Sequence, residues 1–189
     1  MTNNLLSRIT GIILALGALL ALIAYVLHLF SVSAGTTTAY LLFIGLALIL
    51  LGLPGLYGYH NEHGGWLGYI GYLVTFVGLL FSTSTASVAV FNNQGSASEL
   101  FLTITGILWF VGLVLFGWGI WQAGALRYAR WIGLAFILAA ILVVLSLFPL
   151  GTAAPVLGDI GRVVFALAVG ASSYTLLQRG PAAVTAVTA

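Results

Sequence analysis

Six uninterrupted apolar stretches constrain this chain more than any other feature. They run from about Ile9 to Phe30, Tyr40 to Tyr59, Trp66 to Phe91, Phe101 to Gln122, Trp131 to Leu150 and Ile160 to Leu177. A helix that crosses a bilayer needs about 20 mostly apolar residues, because the hydrocarbon layer is about 30 Å thick and each residue rises about 1.5 Å. All six stretches qualify. A membrane β-strand would alternate apolar and polar residues and be about half as long. The expected fold is all-α: a polytopic membrane helix bundle with six transmembrane helices, occupying residues 1–189 as a single integral membrane domain.

The charges support the same reading by their scarcity. The chain is 62% hydrophobic and 4% charged, where a soluble domain carries about 25% charged residues. Five Arg and three acids cannot cover the surface of a soluble domain of 189 residues. That excludes a soluble globular enzyme and a disordered chain. The absence of Cys excludes a disulfide scaffold, a zinc–thiolate site and an iron–sulfur site. A net charge of +2 is too small for a nucleic-acid surface, so no nucleic acid partner is expected.

The few charges also predict orientation. The separators at 31–38, 61–65, 92–99, 122–130 and 149–159 are short and carry most of the polar residues. With six spans, Arg8, Arg127, Arg130 and Arg179 share one side. Glu99, Asp159 and Arg162 share the other. Cationic loops stay in the cytoplasm, so both termini are expected to be cytoplasmic, in a bacterial cytoplasmic membrane. Arg8 and the run Val32-Ser33-Ala34 resemble a cleavable leader. The apolar stretch between them exceeds the about 7–15 residues of a leader core, so it reads as a retained span.

Displacing the sequence by two spans lays one helical hairpin on the next. Gly52 then meets Gly117, Trp66 meets Trp131 and Gly68 meets Gly133. This predicts a parallel hairpin repeat of the kind found in transporters. Chance alignment of Gly-rich apolar spans gives the same match.

Glycine is the expected means of packing. Within lipid, helices associate through small residues that let backbones approach. Among 24 Gly, the sequence spaces Gly52, Gly55 and Gly58 three apart, and likewise Gly65, Gly68 and Gly71. Gly64 and Gly68 form a GxxxG, and Ala166 to Gly170 is a second small pair. These stripes serve packing within the bundle, or contact with partner membrane subunits or a second copy. Pro54 between Gly52 and Gly55 is a candidate kink.

Asp159 and Arg162 are three apart at the expected start of the sixth span, so they share a helix face. The acid there would cap the helix and the Arg would reach back to it. His28, Glu99 and the hydroxyl run Ser82-Thr83-Ser84-Thr85 with Ser87 fall at similar depth. The candidate site is therefore an outward-facing polar crevice of His28, Ser82, Thr83, Thr85, Glu99, Asp159 and Arg162. The competing reading is a local ion pair, with hydroxyls bonded to their own backbone.

Other chemistry is weaker. His60 and His63 with Glu62 have the residue types of a metal site, but in a short loop at no established spacing. His28 has the chemistry of an axial cofactor ligand, without a second ligand in the pattern. No cofactor or metal is assigned. There is no intramembrane carboxylate pair, nucleophile–base spacing or phosphate-binding loop, so an enzyme is not expected.

The runs Gly52-Leu53-Pro54-Gly55-Leu56-Tyr57 and Gly65-Trp66-Leu67-Gly68-Tyr69-Ile70-Gly71 resemble those of small multi-pass bacterial membrane proteins of unassigned function. The run Gly161-Arg162-Val163-Val164-Phe165-Ala166-Leu167-Ala168 is similar to the start of their last span. The resemblance covers about half of the chain and rests on packing motifs. It implies a six-span bundle in the plasma membrane and no catalytic or binding residues. The expected function is that of a non-catalytic membrane protein, such as an accessory subunit of a membrane complex. The alternative is a small transporter or ligand-binding protein with an outward polar crevice.

Overall fold

The computed structural model describes residues 2–30, 36–60, 65–91, 99–124, 126, 128–148, 151 and 153–178. Among these there are six helices and no strand: α1 Thr2–Leu29, α2 Thr36–His60, α3 Gly65–Phe91, α4 Glu99–Ala123, α5 Ala129–Leu145 and α6 Ala153–Gln178. Five are long and apolar enough to cross a membrane; α5, at 17 residues, is the shorter exception. Such a helix is about 25 Å long. It stops at Leu145 rather than at the expected Leu150. The chain tightens there, with the Leu147 N–H donating to the Val144 carbonyl at 2.9 Å and the Phe148 N–H to Leu145 at 3.2 Å. Pro149 follows, and a residue before proline is pushed out of the helical region. At the end of α4, Gly124 takes φ +59° and donates to the Ile120 carbonyl, a left-handed cap that stops the helix.

Each helix packs on the next in sequence, and α6 packs back on α1, closing a ring. Neighbours run antiparallel. On the α1–α2 seam, Leu14 abuts Gly52 while Gly17 abuts Gly45. On the α1–α6 seam, Gly11 lies against Ser173 and Leu177, and His28 meets Asp159 at the other end. Residues from all six helices fill the interior, including Leu14, Ile49, Leu79, Leu113, Phe136 and Phe165. Phe165 of α6 meets Trp109 of α4 at a ring-centroid distance of 4.6 Å and Phe136 of α5 at 6.0 Å. Phe136 in turn meets Phe116 of α4 at 5.6 Å.

Of the predicted glycine stripes, Gly52, Gly55, Gly68 and Gly71 lie in seams, Gly58 and Gly65 face open space, and Gly64 lies outside the described residues; the α4–α5 seam brings two backbones together. A Cβ on Gly117 would lie 2.6 Å from the Gly133 carbonyl oxygen, and one on Gly133 would lie 2.5 Å from that of Gly117. The hairpin repeat does not carry these contacts across. Gly52, the counterpart of Gly117, packs on Leu14 of α1, and Gly68, the counterpart of Gly133, faces Gly119 of α4. The α2–α3 seam is instead lined by rings, with Tyr57 stacked on Tyr72 at 4.5 Å. α2 continues through Pro54.

The outer surface is apolar on every helix. Its exposed Trp residues gather at one end. Trp66 and Trp131, at the starts of α3 and α5, are 72% and 74% exposed. Trp118 and Trp121 on the last turns of α4 are also exposed. These Trp share the end of the bundle that carries exposed Arg8 and Arg130, opposite the end that carries His28 and Asp159.

Candidate functional site

The polar cluster rests on where α6 begins. The helix starts at Ala153, seven residues before the expected Ile160. Pro155 is no obstacle, since it falls in the first turn, where a backbone N–H has no helical partner to lose. Asp159 therefore sits in the second turn. It does not cap the helix, which corrects that expectation; it projects from the helix body toward α1.

Burial and pairing follow from that position. The Asp159 side chain is 7% exposed. Its Oδ1 accepts from Arg162 Nη1 at 2.8 Å, the pair expected from the i,i+3 spacing. Its Oδ2 accepts from His28 Nδ1 at 2.9 Å, across the α1–α6 seam. An ionised carboxylate only accepts, so Nδ1 carries the proton. Both acceptor atoms are thus engaged by donors, one from each helix. The donors lie nearer the surface: the His28 side chain is 66% exposed and that of Arg162 is 45% exposed. Tyr25, one turn below His28 on α1, is buried within electrostatic reach of both Asp159 and Arg162. A carboxylate removed from water costs several kcal/mol, and only close donors offset that. The arrangement anchors two exposed side chains, an imidazole from α1 and a guanidinium from α6, on one buried acid.

The hydroxyl run on α3 does not join this cluster. Thr83 donates to the Leu79 carbonyl at 2.8 Å and Thr85 to Phe81 at 3.0 Å. Ser84 and Ser87 also bond to carbonyls of α3. Ser82 does more. It donates to the Gly78 carbonyl at 3.0 Å and accepts from the Trp109 indole N–H at 2.6 Å, tying α3 to α4. The hydroxyls are satisfied locally, and Ser82 supports the aromatic cluster. Glu99 begins α4, at the same end as His28, and its side chain lies outside the described residues. So do the His60 side chain and the loop with Glu62 and His63, as well as Arg127 and Arg179. Among the described residues no three metal-ligating side chains converge.

Sequence reasoning paired Asp159 with Arg162 but passed over Tyr25 and Trp109. Tyr25 had a signal, since it lies three residues before His28 on the same helix face. Trp109 had none; its partner Ser82 is 27 residues away on another helix. A second feature also emerges only from the fold. An apolar groove of about 390 Å³ runs along the outer flank of the α1–α6 seam. Small residues line it: Ala15 and Ala18 from α1, and Ala166, Gly170 and Ala171 from α6. Comparison of the chain with protein families, curated proteins and solved structures finds no match.

Proposed function

We propose that this chain is a non-catalytic integral membrane protein of six spans that acts as an accessory subunit, receiving a transmembrane helix of a partner protein in the α1–α6 groove. The groove carries the reading. Small residues on its floor, Ala15, Gly170 and Ala171, leave room for an apolar helix between the larger Leu19, Leu22, Leu167 and Tyr174, while Ala166 is buried in the seam itself. The aromatic cluster of α4, α5 and α6 fills the bundle interior, which favours a packing role over conduction.

The spans are six, with α5 completed by the turn at 146–148 and by interfacial adjustment to a short helix. Exposed Arg8 and Arg130 with the exposed Trp residues support a cytoplasmic position for their end, and with it both termini. His28, Asp159 and Arg162 then face outward.

Photo-crosslinking in living cells tests the accessory role. A photoreactive residue at Leu167 or Tyr174, beside the groove, should give one discrete protein adduct. Filling the groove with Ala171→Trp should abolish it while the bundle stays folded. A probe at Leu138, an exposed residue on α5, should give none. Lipid adducts alone at all three positions would contradict the accessory reading.

One observation favours a second reading, a ligand-binding membrane protein with an outward polar site. A buried carboxylate holds two exposed donors where a simple packed residue would join α1 to α6 equally well.

A further inference from the structure

We infer that His28 and Arg162 form an oxyanion-binding site at the outward end of the α1–α6 seam, with Asp159 as the buried residue that positions both. The inference rests on the ligand-binding reading and names its ligand class. The argument starts from the stoichiometry of donors and acceptors. Asp159 accepts one bond on each oxygen, from Arg162 Nη1 and from His28 Nδ1. One carboxylate thus holds a donor from α1 and a donor from α6. A guanidinium offers five N–H donors in a planar fork, and Asp159 takes one of them through Nη1. The remainder of the fork belongs to a side chain 45% exposed, beside a ring 66% exposed.

Charge selects the ligand. The acid is sunk to 7% exposure with a partner on each oxygen, so the accessible atoms of the cluster are those of the Arg and the His. An arriving cation meets the guanidinium first. An arriving oxyanion meets a fork matched to two oxygens, the geometry that makes Arg a receptor for phosphate and carboxylate. Tyr25 closes the seam beneath, so the ligand stays at the mouth. Asp159 holds the fork and the ring without occupying their outer edges; the outer Nε2 of His28 donates to an oxyanion when the ring is protonated and accepts from a phosphate hydroxyl when it is neutral. Phosphate is the shared chemistry of two sources here, a free phosphate outside the cell and the headgroup of a neighbouring phospholipid.

The test uses the full chain in a maltoside detergent, which carries no phosphate, with melting followed by Trp fluorescence. Sodium phosphate should raise the melting temperature by about 5–11 °C at about a hundredfold excess over Kd, relative to sodium chloride of equal ionic strength. Arg162→Lys keeps a cation beside Asp159 and removes the fork. It should melt near wild type in chloride and lose the phosphate shift. His28→Ala should weaken the apparent affinity about tenfold, which about halves the shift at the same phosphate concentration. Native mass spectrometry separates the sources. A phospholipid retained by wild type and lost in Arg162→Lys assigns the site to lipid; a phosphate shift without retained lipid assigns it to the free ion. A shift or retained lipid unchanged in Arg162→Lys overturns the inference. Magnesium chloride provides the remaining arm. If magnesium stabilises wild type, phosphate does not, and Asp159→Asn abolishes the effect, the site binds a ligand but the oxyanion inference fails. If no phosphate, lipid or magnesium effect is seen, the inference and the ligand-binding reading fail together.

Discussion

Adding one methyl group at Gly117 should destabilise the bundle, and adding one at Gly106 on the same helix should not. Both positions lie inside α4, so both gain the about 0.8–1.0 kcal/mol by which Ala exceeds Gly in a helix interior. They differ in what the methyl meets. At Gly106 it meets only the Leu147 side chain, at 3.7 Å, an ordinary contact. At Gly117 it meets the Gly133 carbonyl oxygen at 2.6 Å, with Phe136 Cβ at 3.0 Å behind it. Ordinary contact begins at 3.4 Å, so 3.4 − 2.6 leaves 0.8 Å to be found. A backbone oxygen cannot rotate away; α4 and α5 must separate. Overpacking of this kind costs about 1–3 kcal/mol. The propensity gain is common to both variants, so the difference between them isolates the clash. For a chain of this size about 1 kcal/mol moves the melting point by about 2–4 °C. Gly117→Ala should melt about 2–12 °C below Gly106→Ala in the same detergent. If Gly117→Ala melts level with or above Gly106→Ala, the α4–α5 seam is not packed backbone to backbone.

Arg162→Ala should cost about 2–3 kcal/mol, less than the about 3–5 of a fully buried pair because the guanidinium is half exposed. Adding Asp159→Ala to it should recover part of that loss in a thermal melt, since the buried acid otherwise left with His28 as its one partner is then removed. Ser82→Ala should cost about 1–3 kcal/mol by stranding the Trp109 indole N–H, and should shift the Trp emission; Ser84→Ala, on an exposed hydroxyl bonded only to its own helix, should melt within a degree or two of wild type.

Local pattern made the six helices and the Asp159–Arg162 pair legible. Continuous apolar runs bounded by polar separators leave few alternatives to helix, and an i,i+3 spacing places two side chains together whatever the remainder of the fold does. Reading failed at boundaries where Pro carries two opposite meanings. Pro155 stands in the first turn and is tolerated, so α6 begins at Ala153, whereas α5 ends at Leu145, ahead of Pro149. The partnership of His28 with Asp159 spans 131 positions and exists only because α6 closes the ring on α1. No local spacing encodes such a contact. The hydroxyl run was legible as polar but not as satisfied: the same side chains line a crevice or bond to the preceding turn, and only the backbone and neighbouring rings decide which. The displaced repeat shows the limit of matching letters. Gly52 and Gly117 align in sequence, yet one receives a Leu side chain and the other a backbone oxygen.

In the proposed topology six helices cross the membrane, with the Arg130 end inside and the Asp159 end outside. The shortest helix, α5, is the place to test it. The native chain has no Cys, so a single introduced thiol is the only one to react. Gln122→Cys precedes α5, Phe148→Cys follows it, and both positions are exposed. In intact cells a membrane-impermeant maleimide should label Phe148→Cys at once and Gln122→Cys only after the membrane is opened. Labelling of both positions from the same side would mean that α5 does not cross, and would contradict the six-span account.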